Sequence, residues 1–206
     1  MDKPIVFIGA GGHAASVRGA VSDCEIDGYV DLAKSELDLP YLGDDDTFLN
    51  TCGYEGKRLL ITFVAGRACS LEARARLIAR YKGFEFATVV APTALLAGDA
   101  QLGAGTVVMH RVVVNVSSKT GRHCVLNTGC IVEHDCTLGD NVFIGPGAVI
   151  CGGVTIGNNV YIGANCSIRP GTRIADNVVI GMGAAVVDNI DEPGVYIGVP
   201  AKKSVK

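Results

Sequence analysis

From Val90 onward an aliphatic residue returns at every sixth position. The series runs Val90, Leu96, Leu102, Val108, Val114, Thr120, Leu126, Val132, Leu138, Ile144, Ile150, Ile156, Ile162, Ile168, Ile174, Ile180 and Val186, with one threonine among seventeen positions. Four residues after each of these stands a small or medium side chain, including Cys124, Cys130, Cys136 and Cys166. The residue directly after the aliphatic one is glycine at 103, 121, 139, 145, 157, 163 and 181, where tight corners are expected to use it. A period of six fits neither a helix at about 3.6 nor a plain strand at 2, and predicts a β-helix of hexapeptide repeats. Three hexads then form one triangular coil, and about five coils run from 90 to 188. The aliphatic residue points into the prism, and the small residue fills the space beside it.

The chain before this repeat has a different pattern. "PIVFIGAGGHAASVRGAV" reads as a strand, a glycine-rich turn and the start of a helix, and "IDGYVD" as a second strand ending at Asp31. "RLLITFVAG" reads as a third strand, "SLEARARLIARYKGF" as an amphipathic helix, and "FATVVAP" as a fourth strand. Strands alternating with helices predict a small Rossmann-like α/β domain with a parallel sheet over residues 1–88, followed by the β-helix and a C-terminal loop over 89–206.

Composition narrows the function. The chain has 206 residues, 49% hydrophobic and 19% charged, with a net charge of −3. That balance argues against nucleic-acid binding, which needs a basic surface. No signal pattern is visible at the start, and no apolar run reaches the ~18 residues of a membrane span, so a cytoplasmic location without membrane association is expected. The eight cysteines include no C-x-x-C pair and read as reduced thiols.

The densest chemistry lies in "CIVEHDC", residues 130 to 136. Cys130 and Cys136 occupy the small inward slot, so the register assigns them to the core and removes them as metal ligands. His134 falls at a corner, pointing outward, between Glu133 and Asp135. The residue 18 positions on is Gly152, one coil above at the ordinary interstrand spacing of about 4.8 Å. A histidine, a neighbouring carboxylate and a glycine N–H are the parts of an acyl-transfer site: a general base, the group that orients it and an oxyanion donor. The plain alternative is a surface histidine on a corner. His110 and His123 lack an adjacent acid.

The N-terminal loop is ambiguous by itself. Gly9-Ala10-Gly11-Gly12-His13-Ala14 fits the G-x-G-x-x-A form of a dinucleotide fingerprint, with Asp31 about 20 residues on. Such a turn binds phosphate through backbone N–H groups at a helix N-terminus, or serves close packing alone. A domain of about 88 residues is roughly half a dinucleotide fold and is sized for one nucleotide.

Together, "IGAGGHA" (Ile8 to Ala14), "GYVD" (Gly28 to Asp31), "NTGCIVEHDC" (Asn127 to Cys136) and "GVPAK" (Gly198 to Lys202) resemble bacterial nucleotide-sugar acetyltransferases of the PglD and NeuD type, within the hexapeptide acyltransferases. The resemblance implies a left-handed β-helix, a homotrimer and acetyl-CoA as co-substrate, with no metal. It implies that His134 is the base, Asp135 its partner and Gly152 N–H the oxyanion donor. It also implies that Asn127 helps hold the sugar, with Gly9, Gly11, Gly12, His13 and Asp31 around the nucleotide. Phe143, Gly152, Gly163, Gly181, Pro200 and Lys202 are implied to border coenzyme A. At Phe143 many relatives carry a second histidine.

The expected activity is acetyl transfer to the amino group of a nucleotide-linked amino sugar. O-acetylation of a sugar hydroxyl, as in the sialic-acid branch, is the alternative. A zinc hydrolase or carbonic-anhydrase-like prism would need three converging histidines. An ice-binding prism would need a Thr-x-Thr face, which is absent. One convex prism corner cannot enclose a pantetheine arm, so the site is expected between subunits of an obligate trimer.

Overall fold

The structure, a computed structural model, describes residues 3–21, 24–51, 55–64 and 68–204. The N-terminal part holds a three-stranded parallel sheet in the order β2-β1-β3, from β1 (Ile5–Ile8), β2 (Ile26–Val30) and β3 (Arg58–Ile61). Every residue of β1 is buried, as expected of a parallel strand covered on both sides. Ile5 and Phe7 share a core with Ala14, Val17 and Ala20 of α1 (Gly12–Ala20). Val6 and Ile8 face the other way, towards Phe48 of α2 (Asp45–Leu49) and Tyr81 after α3 (Ala68–Arg80).

Three sequence expectations change here. The fourth strand is reduced to one bridge between Leu59 and Phe86, because the chain turns at once into the repeat. The third strand stops at Ile61, and the Ala65-Gly66 end of its expected range lies outside the described residues. The helix expected through Phe84 ends at Arg80, where the chain turns towards Gly83 at φ +102°. Short α2 had not been expected, although Asp44 caps it by accepting from Thr47 N at 2.8 Å.

The rest of the chain is a left-handed parallel β-helix. Up to Val186 its strands are two residues long, three at Val178–Ile180, and pair at a spacing of 18, as Ile131 with Val149 and Phe143 with Tyr161, before the longer Gly194–Ile197 and the antiparallel Lys202–Lys203 close the eight-stranded face. They build an eight-stranded, a six-stranded and a four-stranded face. Leu126, Val132, Ile144, Ile150, Ile162, Ile168 and Ile180 point inward and are fully buried, as are Cys124, Cys130, Cys136 and Cys166. Each large aliphatic contributes about 1.5–3 kcal/mol by leaving water.

The corner geometry corrects the reading of the glycines. The left-handed turn residue is the fourth of the hexad, with positive φ at every such position from Gly105 to Gly183, including Ser117, His123, Asp135 and Asn141. The glycines after the aliphatic residue do not have positive φ. They are required because the next coil is too close for a side chain: a Cβ on Gly103 would lie 2.2 Å from Gly121 O, and one on Gly157 would lie 2.2 Å from Asp176 Oδ1.

The three faces differ in outward character. On the eight-stranded face Val89, Val107, Val125 and Phe143 are buried, and all four belong to the same core cluster as Ala14, Val17 and Ala20 of α1. The four-stranded face presents Gln101, Lys119, Thr137, Thr155 and Arg173 to solvent. The six-stranded face presents Leu95, which is 68% exposed, with half-buried Val113, Ile131, Val149 and Ala185.

Candidate active site

His134 stands on the corner between the six- and four-stranded faces, directly after the strand Ile131–Val132. In a triangular prism this corner lies opposite the eight-stranded face, which the N-terminal domain covers. The left-handed φ of +60° at Asp135 turns its carboxylate back towards the ring, and Oδ2 lies 2.7 Å from His134 Nδ1. Both side chains are more than half exposed, so the pair adds little to stability. Its effect is orientational: with Nδ1 engaged as the donor, Nε2 keeps its lone pair. Gly153 N donates to His134 O at 2.8 Å and Asp135 N to Val116 O at 3.0 Å, which fixes the corner between the coils below and above.

Gly152 sits one coil above. A Cβ there would lie 2.6 Å from both Nε2 and Cε1 of His134, so only glycine leaves this space open. Gly152 O accepts from Gly171 N at 2.9 Å, whereas Gly152 N–H has no acceptor among the described residues. The corner therefore combines an oriented imidazole, a backbone donor without an acceptor among the described residues and a gap between them.

The other expected site residues lie elsewhere. Asn127, Gly163 and Gly181 share one column on the corner between the eight- and six-stranded faces. Asn127 Oδ1 accepts from Thr128 N at 2.8 Å. Gly163 and Gly181 are accounted for by stacking, since a Cβ on them would meet Met182 N at 2.5 Å and Ile197 Cγ2 at 2.8 Å. Phe143 is 9% exposed on the eight-stranded face and stacks on Tyr161, with ring centroids 4.8 Å apart. Pro200 and Lys202 are exposed at the C-terminal end, where Ala201 N donates to Ala185 O at 2.8 Å and ties the loop to the six-stranded face. One chain thus presents His134 and Gly152 on one corner bounding the six-stranded face and Asn127, Gly163 and Gly181 on the other, with Phe143 on the eight-stranded face and Pro200 and Lys202 at the C-terminal end. His110, His123 and His134 stand on three different corners. Among the described residues no group of three His, Cys, Asp or Glu side chains is placed to hold a metal ion.

The N-terminal loop has its own geometry. Gly9 has φ +106°, and a Cβ there would lie 2.8 Å from Phe63 N, so the backbone itself requires it. Gly11 and Gly12 have ordinary φ and nothing within 4 Å of a built Cβ. Neither strain nor packing accounts for them, and they leave open space at the N-terminus of α1. Asp31 holds the loop, with Oδ2 accepting from Ala10 N and Oδ1 from Leu32 N, both at 2.7 Å. Beside it is a cavity of about 210 Å³ lined by Gly9, Asp31, Leu32, Asp45, Phe63, Ala73 and Leu77. His13 is half-buried beside Arg74, and burial followed by that cation lowers its pKa to about 4.

Arg74 escaped the sequence reading. It is 3% exposed and donates to Phe63 O at 2.9 Å, to His123 O at 2.9 Å and to Asn141 Oδ1, so it ties the segment after β3 to the prism. Burial lowers its pKa to about 10. The available signal was its position in the helical stripe of Leu71, Ile78 and Tyr81, where a charge is out of place.

Residues 117–152 and 153–187 match the family model "Bacterial transferase hexapeptide (six repeats)". The chain is 31% identical to PerB from Caulobacter crescentus, whose crystal structure holds CoA and GDP-perosamine. The match covers 98% of this chain and 97% of that one, with a TM-score of 0.89. It is 27% identical to the acetyltransferase domain of PglB from Neisseria gonorrhoeae in complex with acetyl coenzyme A, covering 99% and 100% of the two chains with a TM-score of 0.89. WeeI from Acinetobacter baumannii, at 21% identity, 98% and 99% coverage and a TM-score of 0.82, shares the fold.

Proposed function

Because the chain belongs to the sugar acetyltransferases of the hexapeptide-repeat superfamily, we propose that it moves acetyl from acetyl-CoA to the amino group of a nucleotide-linked amino sugar. The observation that carries this reading is the His134 corner, with Nδ1 held at 2.7 Å by Asp135 and Nε2 against the open space at Gly152. In this reading His134 Nε2 removes the proton from the nitrogen as it attacks the thioester carbon. Asp135 keeps the ring in the required tautomer and stabilises the imidazolium. Gly152 N–H donates to the carbonyl oxygen as it gains negative charge. The nucleotide diphosphate lies on the backbone N–H groups around Gly11 and Gly12 at the N-terminus of α1.

The assembly in this reading is a homotrimer. The nucleotide loop belongs to a domain seated on the face opposite the His134 corner. Each prism side is six residues, roughly 20 Å of chain at about 3.3 Å per residue, so a sugar held by that loop does not reach its own His134. A ring that turns each six-stranded face inward brings the His134 corner of one copy against the Asn127 corner of the next. Exposed apolar side chains at Leu95, Val116, Met182 and Val199 on this face and its flanks support the same arrangement.

The test is thiol release from acetyl-CoA with a panel of UDP- and GDP-linked amino sugars. At least one should release thiol and gain an acetyl group, and His134→Ala should lower the rate by about 10²–10⁴-fold. Sedimentation should give about three times the chain mass of 21.4 kDa. No transfer to any amino sugar, or more than about a third of activity left in His134→Ala, refutes the reading.

A further inference from the structure

Glu133 has no role in the scheme above. It precedes His134 in extended backbone, its N–H donating to Ile150 O at 2.9 Å, so its side chain points outward on the six-stranded face while Val132 points in. There it is half-buried beside apolar Ile131. Asn115, one coil below, donates Nδ2 to Glu133 Oε2 at 3.0 Å, and Asn115 Oδ1 accepts from Val116 N at 2.8 Å, so both ends of the amide are fixed. Among the described residues no lysine, arginine or histidine pairs with Glu133. A partly exposed carboxylate oriented by one neutral donor keeps its negative charge without a cationic partner among the described residues, so it is placed to receive one.

The two groups lean in opposite directions. Glu133 reaches down to Asn115, and the His134 ring reaches up to Gly152. The corner thus has an acidic half below the base and an oxyanion-donor half above it. Before reaction the amino group of a sugar is largely an ammonium ion at neutral pH, with a pKa of about 8, like an α-amino group. A sugar hydroxyl carries no charge.

We propose that Glu133, held by Asn115, is the specificity-determining residue that binds the acceptor's ammonium group and so selects an amine over a hydroxyl. This rests on the acetyl-transfer reading. Two protons leave the nitrogen in the reaction. The ammonium first releases one to water and becomes the nucleophile. His134 takes the second as the C–N bond forms and the C–S bond breaks, and coenzyme A departs as the thiolate. Glu133 is not consumed in either step. It places the nitrogen beside His134 before deprotonation.

The test compares two ligands by calorimetry without acetyl-CoA. One is the amino sugar nucleotide that releases most thiol in the panel, and the other is the matched nucleotide sugar with a hydroxyl in place of the amine. Wild type should bind the amine form about 10- to 100-fold more tightly, the range expected of a charge-assisted hydrogen bond. Isosteric Glu133→Gln should weaken the amine form to within about threefold of the hydroxyl form, leaving the hydroxyl form, the melting temperature and the sedimentation unchanged. The proposal is overturned if the variant weakens both forms equally, weakens neither, or changes the oligomeric state, since those mark a structural role. Absence of transfer to every amino sugar by wild type is a different result and removes the parent reading instead.

Discussion

Alanine at Gly152 separates the position of the base from its presence. Its Cβ would lie 2.6 Å from His134 Nε2 and Cε1 and 3.2 Å from Cδ2. Carbon contacts relax near 3.5–4.0 Å, so the ring must move by about 1 Å. The ring is free to do so, because the His134 side chain is 56% exposed. Gly152 is not among the residues with positive φ, so alanine introduces no backbone strain. Stability should therefore stay within about 1 kcal/mol of wild type. The backbone N–H also survives, and the oxyanion donor with it. What changes is the 2.7 Å bond to Asp135 and the place of Nε2. A misplacement of about 1 Å costs on the order of 10²-fold, or about 2.7 kcal/mol of transition-state stabilisation. The assay is kcat/KM with the best acceptor, alongside a melting curve. Adding Gly152→Ala to His134→Ala should cost nothing further, because the displaced ring is already gone. Wild-type kcat/KM in Gly152→Ala, or two losses that simply add in the double variant, would refute the argument.

Three further outcomes are expected. Gly12→Val should fold normally, given the open space at that position, yet raise KM for the nucleotide sugar at least about tenfold by blocking close backbone approach, with KM for acetyl-CoA nearly unchanged. A bulky thiol reagent should label native protein slowly at Cys124, Cys130, Cys136 and Cys166, since burial raises their thiols, to about 11 at Cys124 and about 12 at Cys130 and Cys166. Partly exposed Cys24 and Cys151 should react before these four, as mass spectrometry of labelled peptides would show. Burial, followed by Arg74, holds His123 at about 4 in the fold against 6.5 in the unfolded chain. The unfolded chain therefore binds the extra proton as pH falls from 6.5 to 4, and up to about 3 kcal/mol of stability is lost across that window. His123→Asn, which suits φ +57° as Asn141, Asn159 and Asn177 do, should reduce that acid limb in melting curves taken from pH 7 to pH 4, leaving the part that His13 contributes over the same window.

The prism was legible because its periodicity is set by geometry that every coil repeats. An inward aliphatic and an inward small residue per hexad leave little freedom, so Cys130 and Cys136 could be assigned to the core and His134 to a corner from register alone. The reason for the glycines was misread, because sequence marks where glycine occurs and not whether φ or a neighbouring coil demands it. The α/β part was harder to read. Its sheet has only three strands, and α2 is too short to show a period. Arg74 donates through Nε and Nη1 to carbonyl and amide oxygens from segments 11, 49 and 67 residues away, a long-range set that no local pattern reports. The stacking of Gly152 on His134 followed from counting 18, whereas the division of Asn127 and His134 between two corners emerged only when the faces were laid out.

The repeat that builds the prism has two tolerances of different size. One added hexad would leave every inward aliphatic inward and every corner a corner, so the inward core would scarcely register the change. Placed between His134 and Gly152, it would nonetheless rotate everything downstream by a third of a turn and bring another residue above the imidazole. An added triplet of hexads would restore the face but lift Gly152 one layer, by about 4.8 Å. The fold reads the chain modulo six, and the chemistry at His134 reads it by absolute count. Insertions and deletions in this segment are therefore constrained by reactivity at His134 as well as by the stacking of the corner glycines and by the contact of Arg74 with Asn141, at positions where the inward hydrophobic core would accept them.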